Sequence, residues 1–324
     1  NDQFSKKFLS EYLEVLDPTK SYFIQKDIDE FKKWEYMLDD MLLKKDLSVG
    51  FSIFNRFKSR VIDQLQVNIN LLESDFEFDL TKNEIITLDI EKAKWQLTKK
   101  SSDLHWRKKM KEAYLRLILN DKEPKAAREL LIKRYKNQKK RLNQNDSEDV
   151  FQIYMSALTG MFDPHTSYLS PKSMENFRIS MSLSLTGIGA VLELDGEYTS
   201  IVSIIKGGPA EKQGILKTGD KIISVAQNDA DFVDVVGWQL DDVVELIRGE
   251  KDSLVKLEII PSRTDLAGNT QIIELIRDKV KLEEQAAKSG VIDVVSGKNS
   301  HKFGVIEIPA FYLDVEALYN NEPD

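Results

Sequence analysis

The chain contains no cysteine and only three histidines among its 324 residues. The absence of cysteine excludes disulfides, thiol nucleophiles and thiolate metal sites. The histidines, His105, His165 and His301, are too scattered along the sequence to indicate a metal site. No apolar run approaches the roughly 20 residues that a membrane-spanning helix needs. We therefore expect a protein that uses neither a metal ion nor another cofactor.

The charge balance is acidic, with a formal net charge of −8, and 41% of the residues are hydrophobic. Such a composition is typical of a globular protein and argues against general nucleic-acid binding. A basic run, "KRYKNQKKRL", occupies residues 133–142, and its lysines and arginines could meet phosphate groups. On a helix, however, such a run is usually a solvated face. We expect no nucleic-acid partner.

Glycine is scarce before about residue 165, where the sequence is rich in helix formers. Apolar residues recur at helical spacing in "FSIFNRFKSRVIDQLQVNINLLE", which predicts a helix. A second helix is predicted from "DLTKNEIITLDIEKAKWQLTKK" through the residues that follow, up to residue 120. Pro124 suits the first turn of a third helix. From about residue 180 to 262, short β-branched strands alternate with glycines, with one helix in "GWQLDDVVELIRG". The segments "QIIELIRDKVKL" and "KFGVIEIPAFYL" predict strands of a third, incomplete unit. The fold class is therefore multidomain α+β, with domains at 1–180, 181–263 and 264–324.

One short pattern occurs twice, as "LDPTKSYF" at 16–23 and "FDPHTSYL" at 162–169. An aspartate followed by proline is typical of a turn or a helix start, in which the aspartate is the cap. The second copy also holds Asp163, His165 and Ser167, the residue types of a hydrolase triad. Three groups within five residues of one loop do not easily align along one hydrogen-bonded path. A turn or helix start is therefore favoured over a catalytic triad.

The most informative stretch is "SLTGIGAVLELDGEYTSIVSIIKGGPAEKQGILKTGDKIISV", residues 184–225. A phosphate-binding loop places its glycines between a strand and a helix, but here "GIG" leads into the β-branched "AVLEL". A short glycine loop before an exposed strand suits a different task. Its backbone N–H groups can converge on a carboxylate while the strand edge pairs with an extended peptide. The helix in "WQLDDVVELIRG" can then form an apolar wall beside that strand.

These segments resemble a known family. "GGPAEKQGILKTGDKIISV" followed by "DDVVELIRGEKDSLVKLEII" is similar to a PDZ domain of the circularly permuted bacterial type. Together with "LDPTKSYFIQKDIDEF", "FDPHTSYLSPKSMENFRISMSLSLTGIGAVLE" and "FGVIEIPAFYLD", they resemble the tail-specific (carboxy-terminal processing) proteases of the Prc/Tsp type, in the S41 family of serine peptidases. The resemblance covers essentially the whole chain. It implies a helical N-terminal domain at 1–180, a PDZ domain at 181–263 and the beginning of an α/β S41 protease domain at 264–324.

The resemblance implies an exported serine endopeptidase that recognises apolar C-terminal tails of proteins through its PDZ domain and degrades or processes those proteins. The carboxylate loop then falls at Leu185, Thr186, Gly187, Ile188 and Gly189, and the peptide-pairing strand at Ala190, Val191 and Leu192. The apolar pocket is lined by Leu240, Val243, Val244 and Ile247 of the helix. Some of these residues could instead belong to the domain core, and for Val191 and Val244 this is a serious alternative.

The family acts through a serine nucleophile and a lysine base that lie well downstream of "GVIEIPAFYLD", and no segment of this chain resembles either. We therefore assign no catalytic residue. The family separates the "FYLD" strand from the helix that "VEALYNNEPD" resembles by a charged linker. We expect that a mobile segment is absent between Asp314 and Val315 and that the protein continues beyond Asp324.

Two alternatives to a protease stay open at this point: a catalytically inactive PDZ scaffold, and a helical adaptor that delivers proteins to another protease. The segment "FGVIEIPAFYLD" favours the protease, because it resembles the opening of the protease domain. The expected partners are proteins with apolar C-terminal tails, and the resemblance also allows a lipoprotein adaptor on the helical domain. The expected location is the periplasm or cell envelope, with a signal peptide that is not in this chain.

Overall fold

The computed structural model describes residues 1–74, 76–86, 93–163, 165–262, 270–282, 286–296, 299–309, 311–313 and 318–319. The chain divides into two compact units, Asn1–Ser170 and Pro171–Asp324. The division falls ahead of residue 180, where the sequence predicts the end of the helical domain. The predicted change from a helical to a β-rich architecture is confirmed.

The first unit is built from helices. They are α1 (Asp2–Leu16), α2 (Gln25–Phe31), a short 3₁₀ helix (Lys32–Trp34), α3 (Leu38–Leu43), α4 (Ser48–Glu73), α5 (Lys99–Leu119), α6 (Pro124–Gln144) and α7 (Ser147–Thr159). One apolar cluster joins α1, α4 and α7 around Phe8, Ile53 and Tyr154. A second cluster joins α4, α5 and α6 around Leu72, Met110 and Leu131. The helices are thus held by apolar faces that the sequence presents at helical spacing.

Helix α4 confirms the predicted apolar stripe. Phe54, Val61, Leu65 and Leu72 are buried, whereas Phe57 is partly buried at the edge of the cluster. Pro124 is the first residue of α6, as expected of a residue without a backbone N–H. The basic run at 133–142 lies on this helix.

The predicted helix over residues 79–120 is wrong in its first part, because α5 begins only at residue 99. Residues 79–86 and 93–98 are not helical. Thr98 has an extended backbone and its hydroxyl accepts the N–H of Ser101 at 3.2 Å, which fixes the helix start there. Ahead of this cap, β-branched Ile85 and Ile86 favour helix only weakly.

The two Asp-Pro segments form turns and not helix starts. Asp17 follows the last residue of α1 and is fully buried. Its carboxylate accepts four hydrogen bonds, from the N–H groups of Ser21 (2.8 Å), Tyr22 (3.0 Å) and Phe23 (3.0 Å) and from Nε1 of Trp95 (3.2 Å). Asp163 accepts the backbone N–H of His165 at 2.7 Å. The turn interpretation is confirmed for both.

The second unit is mainly β. Its helices are α8 (Pro171–Ser182), α9 (Pro209–Gln213) and α10 (Leu240–Ile247). Its strands are β1 (Ser184–Gly187), β2 (Ala190–Asp195), β3 (Tyr198–Ile204), β4 (Lys221–Gln227), β5 (Val233–Asp234), β6 (Leu254–Ile260), β7 (Gln271–Ile276), β8 (Asp278–Lys281), β9 (Lys288–Ser296) and β10 (Asn299–Glu307). The main sheet has the antiparallel order β2-β3-β4-β6-β7, and β5 pairs with β4. Val243 and Ile247 of α10 join the apolar core on this sheet.

Strands β7 and β8 lie in the range 264–324 that the sequence assigns to a third domain. They pair, however, with strands of the range 181–263. Strand β7 forms the last strand of the main sheet, opposite β6, and β8 pairs with β1 through Leu185 and Val280. The sheet therefore continues past residue 263, the predicted end of that domain. Strands β9 and β10 form a separate two-stranded hairpin, as expected of the "KFGVIEI" segment. The junction between Asp314 and Val315 lies outside the described residues.

Candidate functional site

A two-residue turn, Ile188 and Gly189, connects β1 to β2. Gly189 has φ +75°, a left-handed conformation that glycine adopts without strain. A Cβ on Gly189 would lie 3.0 Å from Cα of Gly208, so the turn is pressed against the start of α9. The sequence "GIG" therefore provides both the reversal and the close backbone approach.

The carbonyl groups of this turn are used internally, whereas its N–H groups are not. Ile188 O accepts the N–H of Ala210, and Gly189 O accepts the N–H of Ile205, both at 2.9 Å. Among the residues that the structure describes, neither the N–H of Ile188 nor that of Gly189 donates a hydrogen bond. Both residues are buried. Buried backbone donors are nearly always paired, so two adjacent unpaired ones indicate a place for an acceptor from outside the chain.

Strand β2 leaves the turn along one edge of the main sheet. Its inner edge pairs with β3, and none of the described strands pairs with its outer edge. Because Gly189 O bonds toward β3, the backbone groups of the next residue, Ala190, point to the outer edge. Ala190 and Leu192 pack toward the core, while Val191 is 44% exposed. An extended peptide can add here as a further strand.

Helix α10 packs against β2 and β4. Val243 and Ile247 are fully buried in the core, whereas Leu240 and Val244, four residues apart on one helical face, are half-buried. The helix has acidic Asp241 and Asp242 in its first turn, where they face the positive end of the helix dipole. The partly exposed apolar face of α10 is therefore carried by Leu240 and Val244.

The predicted site residues lie in four places: β1, the turn of Ile188 and Gly189, β2 and α10. Leu185, Thr186 and Gly187 lie in β1, paired with β8, so the turn is shorter than the five-residue loop that the sequence predicts. Ala190, Val191 and Leu192 lie on the edge strand as predicted. In α10, Val243 and Ile247 are core residues. Val191, for which a core role is a serious alternative by sequence, is exposed.

Arg248, which follows the last residue of α10, is not among the residues predicted from the sequence. It lies four residues after Val244 and eight after Leu240, so the helical spacing of "LDDVVELIR" was the available signal. Burial lowers the pKa of Arg248, while the charges of Glu175 and Asp241 act to raise it. A cation thus lies on the same helical face as the half-buried apolar residues.

Helix α8 lies beside α10 and is joined to it by polar contacts. Lys172 Nζ lies 2.6 Å from Oδ1 of Asp242 and 3.8 Å from Oε2 of Glu245. Burial opposes the charge on Lys172, but the hydrogen bond and charge of Asp242 outweigh burial and raise its pKa. At the other end of α8, Met181 O accepts the N–H of Leu313 at 2.7 Å.

The described residues contain no cluster of histidine and acidic side chains that could hold a metal ion. Within the same residues, no helix combines the length and apolar character needed to cross a membrane.

Comparisons with known proteins match both units. The sequence profile of the tail specific protease N-terminal domain matches residues 1–172, and that of the PDZ domain matches residues 177–260. The chain is 41% identical to the tail-specific protease of Haemophilus influenzae over 314 residues, which cover 97% of this chain and 44% of that protein. It is 35% identical to the carboxy-terminal processing protease CtpA of Bacillus subtilis over 186 residues, 56% of this chain and 35% of that protein.

A solved structure also matches: the PDZ domain of a carboxy-terminal protease from Vibrio cholerae in complex with a peptide. It is 50% identical and covers 31% of this chain and all of that chain, with a TM-score of 0.30.

The chain thus belongs to the class of proteins in which a helical domain is followed by a PDZ domain. The chain belongs to the tail-specific (carboxy-terminal processing) protease family. It spans less than half the length of the two curated relatives named above.

Proposed function

We propose that the second unit binds the free C-terminal end of a polypeptide as an added strand on β2. The observation that carries the proposal is the pair of unpaired N–H groups of Ile188 and Gly189 at the start of an unpaired strand edge. A terminal carboxylate offers acceptors for both donors, and the peptide backbone behind it can continue the ladder along β2. Only the last residue of a chain supplies that carboxylate.

The side chain of the terminal residue would pack against Leu240 and Val244 of α10. Both are half-buried, so an apolar side chain can cover them at little desolvation cost. A charged terminal side chain would lose its hydration against these two apolar residues. The bound polypeptides are therefore proteins with apolar C-terminal tails.

In the whole protein, this site serves a serine endopeptidase that degrades or processes the proteins it binds. Membership of the tail-specific protease family supports this role and disfavours a scaffold or an adaptor without proteolytic activity. We assign no catalytic residue in this chain. The family also supports an exported protein of the periplasm or cell envelope, and a lipoprotein adaptor on the helical domain belongs to the same proposal.

The test is binding of a fluorescein-labelled peptide that ends in valine to the full chain, measured by fluorescence anisotropy. The same peptide with a C-terminal amide is the comparison, and we expect it to bind at least tenfold more weakly, because it lacks the charged acceptor. Equal affinity of the two peptides would refute a carboxylate site at the turn.

A pair of variants tests where the peptide binds. Val244→Asp puts a charge on the face of α10 that the terminal side chain would cover, and we expect it to abolish binding. Val202→Asp is the matched control, because Val202 lies on β3 and is 40% exposed. Circular dichroism checks that both variants fold. Loss of binding in both variants, or in neither, would place the peptide elsewhere.

A further inference from the structure

Arg248 lies close to the turn that carries the unpaired N–H groups. A Cβ on Gly187, the last residue before the turn, would lie 3.9 Å from Cγ of Arg248. The backbone N–H of Arg248 donates to Val244 O, which fixes the start of its side chain at the end of α10. The half-buried stem therefore passes beside the entrance to the turn.

The guanidinium group of Arg248 has a neutral partner. Nη1 donates to Oδ1 of Asn176 on α8 at 2.7 Å. Within the part of the chain that the structure describes, no carboxylate lies within ion-pair distance of this side chain. An amide oxygen orients the guanidinium without neutralising it, so the positive charge stays available to an anion. Partly buried cations in folded proteins usually have an anionic partner.

We propose that Arg248 is a third donor to the terminal carboxylate of the bound polypeptide, beside the N–H groups of Ile188 and Gly189. This inference rests on the proposed function and names the residue that distinguishes a chain end from an internal segment. A guanidinium group binds both oxygens of a carboxylate in a fixed geometry, which the two backbone donors alone cannot enforce. Arg248 thus acts as a specificity-determining residue, and Asn176 as its positioning residue.

A purely structural role for Arg248 is the competing explanation, since a cation at a helix C-terminus also interacts favourably with the helix dipole. The two roles differ in one measurable quantity, the ratio of the affinities for the free-acid and amide forms of one peptide. Loss of a structural contact weakens both forms alike. Loss of a carboxylate donor weakens only the free acid.

The experiment measures this ratio by anisotropy for the full chain and for Arg248→Met and Arg248→Lys. We expect Arg248→Met to lower the ratio about tenfold or more, with the affinity for the amide peptide unchanged. Arg248→Lys should restore part of the ratio, because it retains the charge but not the planar fork. An unchanged ratio in Arg248→Met, or an equal loss for both peptides, would overturn the proposal.

Asn176→Asp provides a second, independent variant. The new carboxylate would form an ion pair with Arg248 and compete with the peptide, so we expect the ratio to fall, whereas Asn176→Ala should change it less. A ratio in Asn176→Ala equal to that of the unmodified chain would contradict the positioning role. If the unmodified chain itself does not prefer the free acid, the proposed function fails. If the chain prefers it and Arg248→Met keeps that preference, only the inference about Arg248 fails.

Discussion

Replacement of Gly189 by alanine tests the turn that separates β1 from β2. At φ +75°, an alanine costs about 1–2 kcal/mol relative to glycine. The new Cβ would also lie 3.0 Å from Cα of Gly208, a backbone atom that cannot turn aside. Overpacking of this kind adds about 1–3 kcal/mol. We therefore expect Gly189→Ala to lower the free energy of unfolding of the second unit by about 2–5 kcal/mol.

Gly196→Ala is the matched control. Gly196 lies in the two-residue turn between β2 and β3 with φ +67°, and a Cβ there would meet no atom within 4 Å. This variant carries the conformational cost alone, about 1–2 kcal/mol. The difference between the two variants therefore isolates the contact between Gly189 and Gly208.

The assay is urea unfolding followed by circular dichroism, with separate transitions fitted for the two units, together with anisotropy of the free-acid peptide. Gly189→Ala should also weaken peptide binding, because relief of the contact moves the N–H groups of the turn. Gly196→Ala should leave binding unchanged. If the two variants lose equal stability and bind the peptide equally, the turn is not held by its contact with Gly208, and the reasoning is refuted.

Two further predictions concern the helical unit. The fully buried carboxylate of Asp27 accepts hydrogen bonds from Arg56 and Arg60. Burial acts to raise the pKa of Asp27, but these hydrogen bonds outweigh burial and hold the pKa below its ordinary value. The contribution of the ionised Asp27 to the free energy of unfolding is therefore complete above about pH 4 and is lost as the pH falls through the lowered pKa. We expect Asp27→Asn to lower the free energy of unfolding by about 3 kcal/mol at pH 7. In urea titrations, the variant should also lose less stability than the unmodified chain as the pH falls. Equal acid sensitivity of both proteins would contradict this. Gly50→Ala should lower the melting temperature of the helical unit although alanine favours helix, because the new Cβ would lie 2.9 Å from the ring of Tyr154. A rise in the melting temperature would show that the ring can move aside.

Local pattern was sufficient to predict much of the candidate site. The glycines of "GIG" and the alternation of "AVLEL" depend on neighbours in sequence, and both the turn and the edge strand follow from them. Contacts between segments that are distant in sequence leave no pattern among neighbouring residues. Leu185 pairs with Val280, and the partner of Arg248 lies 72 residues upstream on α8. The extent of the turn and the role of Asn176 could therefore not be predicted from spacing.

If the turn binds a terminal carboxylate as proposed, its internal hydrogen bonds explain why it would select that kind of ligand. The carbonyl oxygens of Ile188 and Gly189 accept hydrogen bonds from α9 and from the segment after β3, so among the described residues only the N–H groups of the turn have no partner. A turn that exposed both donors and acceptors would bind an internal amide as well as a chain end. A turn in which only the donors are unpaired would favour an anion, and its own carbonyl bonds would hold it in place before a ligand binds. Binding would then cost little conformational entropy, and the proposed preference for a terminal carboxylate would follow from the same bonds that build the turn.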